Sequence, residues 1–119
     1  MKQSKIITAY RMLEALADNE HLSKKEQWNL YKLRCDLKPH VEFQVEQEEL
    51  VRKKYEEFAD DKGIITGEKA ESYVNEIKSI SEIEVDLELK KPQIRMTDGI
   101  TFKIIEPLEE FVEFLPPEE

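Results

Sequence analysis

The sequence predicts an α+β fold in a single domain, and three observations carry that prediction. Apolar residues recur at helical spacing through three segments between residues 4 and 80. The period then switches to two over Ile83–Leu89. A Thr97-Asp98-Gly99 turn signal follows, set between two short apolar runs. The expected architecture is a kinked long helix with two shorter antiparallel helices and a small C-terminal antiparallel β-meander. With 119 residues, one domain accommodates all of it: helices over 4–80, meander over 82–105, and an acidic amphipathic segment over 106–119.

The first helix is expected from Lys5 to Asp18. Ile6, Tyr10, Leu13 and Leu16 with Ala17 form one stripe, and Ser4 is placed to cap it. After the link Asn19-Glu20-His21-Leu22, Ser23-Lys24-Lys25-Glu26 is a capping box, in which Ser23 and Glu26 bond each other's backbone amides. Helical character then runs to about Asp60 through Leu30, Leu33, Leu37, Val41, Val45, Val51, Tyr55 and Phe58, with Trp28 and Tyr31 expected in the helix core beside them. Such a helix would be about 55 Å long. Pro39 falls inside it, and a proline there removes an amide and clashes one turn back. The stripe keeps its phase past Pro39, so a kink is expected rather than a domain boundary. Asp60-Asp61-Lys62-Gly63 reads as the helix end, with glycine in the left-handed position. A third helix over Glu68–Ser79 follows Thr66 or Gly67, with Ala70, Tyr73, Val74, Ile77 and Ile80 on its apolar face. Short links make the three helices antiparallel neighbours, the middle one as spine.

In Ile83–Leu89 apolar residues alternate with Glu84, Asp86 and Glu88, the pattern of a strand with one wet face. Around Thr97-Asp98-Gly99, a three-residue loop would pair Met96 with Ile100 and Ile94 with Phe102, keeping every apolar residue on one side. That register needs Gly99 left-handed. Pro107 should stop the second strand. Beyond it, Glu106–Glu119 mixes six glutamates with Leu108, Phe111, Val112, Phe114 and Leu115. Two readings stay open for this segment. Leu108, Phe111 and Leu115 could dock on the protein's own core, or Leu108, Phe111, Phe114 and Leu115 could anchor in a partner's groove.

Composition narrows the function classes. The net charge is −9, with a balance of +3 over residues 1–40 and −12 over 41–119. An acidic surface repels phosphate, so no direct nucleic-acid partner is expected. No apolar run is long enough to span a membrane, the first residues lack a signal-peptide core, and a single cysteine, Cys35, fits a reducing cytoplasm. Cys35 suits a small buried hydrophobe or a solvated thiol equally, with no local base to make it a nucleophile. His21 and His40 belong to no helical ligand pair, and Glu42, Glu46 and Glu49 read as a solvated face with Lys53 as ion-pair partner of Glu49. Three glycines form no phosphate-cradling loop. No catalytic residue, metal site or cofactor is expected.

The segment Leu37–Phe58, then Gly63-Ile64-Ile65, Tyr73-Val74-Asn75-Glu76-Ile77 and Glu84-Val85, resembles a family of small phage- and prophage-encoded proteins of unknown function from phages of Gram-positive bacteria. The resemblance spans about residues 6–90. It implies a phage or prophage origin and a protein that acts by binding. It supplies no functional residues. The expectation is a non-enzymatic protein–protein interaction protein, virion-associated or an assembly factor. Because a helix that long has more apolar stripe than its neighbours cover, a homodimer along Val41–Phe58 is expected. The alternative is an acidic inhibitor imitating nucleic acid in a basic groove of a host nucleic-acid-binding or defence protein.

Overall fold

A computed structural model describes residues 1–117 of the protein. Its elements are α1 (Gln3–Ala17), α2 (Lys24–Lys54), a 3-10 turn (Glu56–Phe58), α3 (Glu68–Ser81), β1 (Gln93–Arg95), α4 (Phe102–Leu108) and β2 (Glu113–Leu115). The class is α+β and mainly helical. The middle helix is the spine. Along it, Gln3 bonds the carbonyl of His40 and Glu14 meets Arg34 at 2.8 Å, so α1 and α2 run antiparallel. Gln44 meets Ser81 at 3.4 Å and Tyr55 meets Tyr73, so α2 and α3 do too.

The start of α2 is as its sequence requires. Glu26 N–H donates to Ser23 Oγ at 3.1 Å, and Ser23 N–H donates to Glu26 Oε1 at 3.0 Å. Pro39 lies within an unbroken helix. Its missing amide leaves the carbonyl of Cys35 unpaired, but both residues are exposed, so water can reach that carbonyl. The helix stops earlier than expected, at Lys54 rather than near Asp60. Arg52, Lys53 and Lys54 fill its last turn, where cations complement the helix dipole. Gly63 does adopt a positive φ of 78°, but in a separate turn. There Asp60 Oδ1 accepts from the amides of Lys62 and Ile64 at 2.9 and 2.8 Å.

Ser4 does not cap α1. The helix begins at Gln3, and the main chain of the distant 83–85 segment does the capping. Gln3 N–H donates to Ile83 O at 2.9 Å, and Val85 N–H to Met1 O at 2.7 Å. The backbone acceptor makes a hydroxyl cap unnecessary.

The meander is the main correction. Over 84–89 the burial does alternate, with Val85, Leu87 and Leu89 against the core and Glu84, Asp86 and Glu88 exposed, but Ile83, expected on the inner face, is exposed. Yet the segment makes only an isolated bridge between Lys2 and Glu84, not a strand ladder. The antiparallel hairpin of 93–96 with 100–105 does not form. β1 instead pairs in parallel with β2, Gln93 opposite Glu113 and Arg95 opposite Leu115. A parallel pair needs a crossover, and α4 supplies it. The reason is the spacing of Ile100, Ile104, Leu108 and Phe111, which is helical. A strand would have brought Phe102 inward; in the helix it is 84% exposed. Pro107 sits inside α4 rather than ending a strand. The turn residue was legible, since Gly99 has φ +90° and Ile100 N–H closes the turn onto Thr97 O at 3.3 Å.

The hydrophobic core lies at one end. Ile6, Ala9, Leu13 and Leu16 of α1 meet Leu30, Leu33 and Leu37 of α2, sealed by Ile94, Ile100, Leu108, Phe111 and Val112. None of its fully buried members comes from residues 38–81.

Candidate functional site

Beyond Leu37, α2 leaves the body and α3 folds back along it, forming a two-helix arm. What holds the arm together is largely polar and aromatic. Tyr55, nearly buried, packs edge-on against Tyr73 at 5.6 Å and lies 6.1 Å from Phe58. Lys54 Nζ meets Glu76 Oε1 at 2.7 Å. The Lys54 ammonium and then the Tyr55 hydroxyl hold the Glu76 carboxyl below its ordinary range. In return, Glu76 pushes the Tyr55 phenol up, with burial adding to it. Gln44 occupies a buried position where an apolar residue would serve better, its Nε2 donating to Glu48 Oε1 at 3.0 Å. Its carbonyl oxygen is buried with no hydrogen-bond partner, a state that costs free energy.

The apolar residues of the arm face water instead. Phe43, Val45, Leu50, Phe58, Ile64 and Val74 are all exposed, Val45 at 61%. At about 100° per residue, Phe43 and Leu50 share one flank of α2 while Val45 lies on the other. The sequence stripe Val41–Val45–Val51 therefore does not run inward throughout. The inward line passes through buried Gln44, half-buried Val51 and buried Tyr55.

The C-terminal segment is divided. Leu108 and Phe111 are sealed in the core, at 0% and 1% exposure, and so are not available to a partner in this structure. Phe114 and Leu115 are half-buried on β2. Of the two readings of this segment, core docking holds for Leu108 and Phe111.

The titratable groups considered from sequence do not converge. His21 is exposed, 4.0 Å from Glu20, and His40 contributes only its carbonyl. Glu49 binds Arg52 at 2.9 Å rather than Lys53, and Glu42 lies 3.9 Å from Lys38. Among the described residues, no three His, Cys, Asp or Glu side chains group to hold a metal ion. Cys35 is exposed. Trp28 and Tyr31 are not in the core: they stack on each other at 5.5 Å on the outer face of α2, opposite Leu30, Leu33 and Leu37. Their place was readable, because both fall out of phase with that leucine stripe.

Fold and surface together describe a helical body with a projecting, apolar-edged arm. Compared with protein-family models, with curated proteins and with solved structures, the chain matches none. No described helix is long and apolar enough to cross a membrane.

Proposed function

We propose that this chain is a non-enzymatic protein–protein interaction protein of phage or prophage origin, acting as a virion-associated accessory or assembly factor. Its docking surface is the arm, and a second copy of the chain covers it along Val41–Phe58. One observation carries the reading: the arm's large apolar side chains are exposed, while its buried side chains are Gln44, Tyr55 and Ile80 and its Lys54–Glu76 ion pair lies at the surface. Two helices cannot shield such a set, and a second pair of helices can. The run Glu42–Glu49 followed by Arg52–Lys54 favours antiparallel arms, because that alignment brings acidic and basic runs together. The origin rests on the sequence resemblance. Light scattering at tens of micromolar should give twice the 14.1 kDa chain mass, and Val45→Glu with Leu50→Glu should return it to one chain without loss of helicity. A wild-type chain that stays at 14.1 kDa throughout overturns the dimer.

A second reading is favoured by the arm tip, where Glu56, Glu57, Asp61, Glu68 and Glu71 are exposed. These carboxylates could enter a basic groove of a host nucleic-acid-binding or defence protein. Such binding would weaken steeply between about 50 and 200 mM salt, whereas apolar arm contacts would barely respond.

A further inference from the structure

The N-terminal half of α2 carries a surface that the arm does not use. Trp28, the chain's single tryptophan, is 58% exposed and stacks on Tyr31 with ring planes 24° apart. Lys24 and Lys38 lie on the same helical face, and Lys25 and Lys32 form its shoulder. Lys25 and Lys32 have no acidic partner at ion-pair distance among the described residues. Both also line an open groove of about 1460 Å³ between α2 and the 88–98 segment, with Lys90 and Lys91 across from them.

We propose that this aromatic and lysine-bearing face, with the groove beside it, binds an extended acidic segment of a partner protein that carries an aromatic or apolar side chain. Charge complementarity selects the ligand. In a chain of net charge −9, Lys25 and Lys32 stand without an ion-pair partner among the described residues, beside two exposed aromatic rings. A ligand carboxylate meets Lys25 or Lys32, and its apolar neighbour seats on the open faces of Trp28 and Tyr31. The groove exceeds the roughly 300–1,000 Å³ of small-molecule pockets and is open to solvent, which suits a chain rather than a metabolite. Glu26, Asp36, Glu88 and Asp98 also line it. Interspersed with the lysines, they disfavour an evenly charged phosphodiester backbone, whereas a peptide can set its carboxylates apart on the lysines and donate its N–H groups to the acids. The observations therefore favour a peptide over nucleic acid.

The test uses the full chain and its own tryptophan. A short glutamate-rich peptide with one central phenylalanine, its glutamine counterpart and single-stranded oligo(dT) of matching length are each titrated. Trp28 emission is read together with the anisotropy of the dye-labelled ligand. The glutamate peptide should give saturable binding and the glutamine peptide none. Lys25→Glu with Lys32→Glu should weaken binding about tenfold or more, with helicity and melting unchanged. Both lysines lie outside the arm, so this test and the dimer test fail independently. Absence of saturable binding overturns the proposal, as does binding indifferent to the double reversal. Tighter binding of oligo(dT) than of the peptide also overturns it and reassigns the face to nucleic acid.

Discussion

At the scale of single residues, Phe111 and Glu26 decide how the C-terminal third attaches to the helices. Phe111 is 1% exposed among Leu108, Val112 and the leucines of α1 and α2. Phe111→Ala should cost about 3–5 kcal/mol, transfer and cavity together. A thermal scan should show the midpoint falling by on the order of 10 °C; a melt within about a degree of wild type would mean the side chain is not core. Glu26 works twice, since Oε1 accepts from Ser23 N–H and Oε2 accepts from Arg95 N–H at 2.9 Å. It thus covers the outer edge of β1 with the first turn of α2. Partial burial works to raise its pKa, but the amides of Ser23 and Arg95 outweigh that and hold it below the ordinary 4.5. A lowered folded pKa means a stabilisation fully present above the unfolded value and lost as pH falls through the folded one. Denaturant titrations from pH 7 downward should therefore show stability declining below about pH 5. Glu26→Gln should reduce that decline while lowering stability at pH 7, and identical pH slopes in the two proteins would refute the role.

At the scale of elements, the two positions with special backbone demands give opposite expectations. Pro39 interrupts the amide ladder of α2 on its solvent face, where no packing contact requires the ring. Pro39→Ala should restore one hydrogen bond and stabilise the protein by about 1–3 kcal/mol, the helix penalty less the unfolded-state entropy. The denaturation midpoint should rise, and a fall would show that the proline shapes the helix for packing. Gly99 at φ +90° lies beside Asn19, whose Nδ2 donates to Asp98 O at 2.8 Å and would sit 3.2 Å from an added Cβ. Gly99→Ala should destabilise by about 1–2 kcal/mol for that reason. These elements also show where the sequence was readable. The capping box, the three antiparallel helices, the glycine at 99 and the alternation over 84–89 follow from local chemistry, and local chemistry sufficed. Beyond Met96 the pattern is ambiguous, because Ile100, Phe102 and Ile104 alternate while Ile100, Ile104 and Leu108 also fit a helix. Only the pairing of β1 with β2, set by contacts distant in sequence, separates the two. The arm's exposed flank was partly legible, since Val41–Phe58 is too apolar for its neighbours to cover. The exposure of Trp28 was legible in the phase of α2 itself, since Trp28 and Tyr31 fall opposite Leu30, Leu33 and Leu37.

The whole molecule measures 59 × 28 × 19 Å, with a radius of gyration of 18.0 Å. A compact chain of this length would have roughly 13.5 Å. The excess is the arm, which has few buried apolar side chains, Tyr55 and Ile80 foremost, while the body holds the continuous cluster. Amides open with a free energy set by the burial they must give up, so arm and body should exchange at different levels. Hydrogen exchange should show α1, residues 26–37 and β1 protected to the level of global unfolding. Residues 41–54 and 68–81 should exchange through a cheaper, local opening. The proposed dimer makes protection depend on concentration, because anything that binds only the closed arm stabilises it by mass action. From one to a hundred micromolar, protection should rise in the arm. In the body, which opens with global unfolding, it should rise alongside, since global unfolding also gives up the dimer. Arm protection independent of concentration, with the gap to the body intact, would leave the arm as an open surface awaiting a different protein. Equal protection in arm and body at the lowest concentration would instead show that the arm needs no partner, since its tyrosine pair and ion pairs would then suffice to hold it closed.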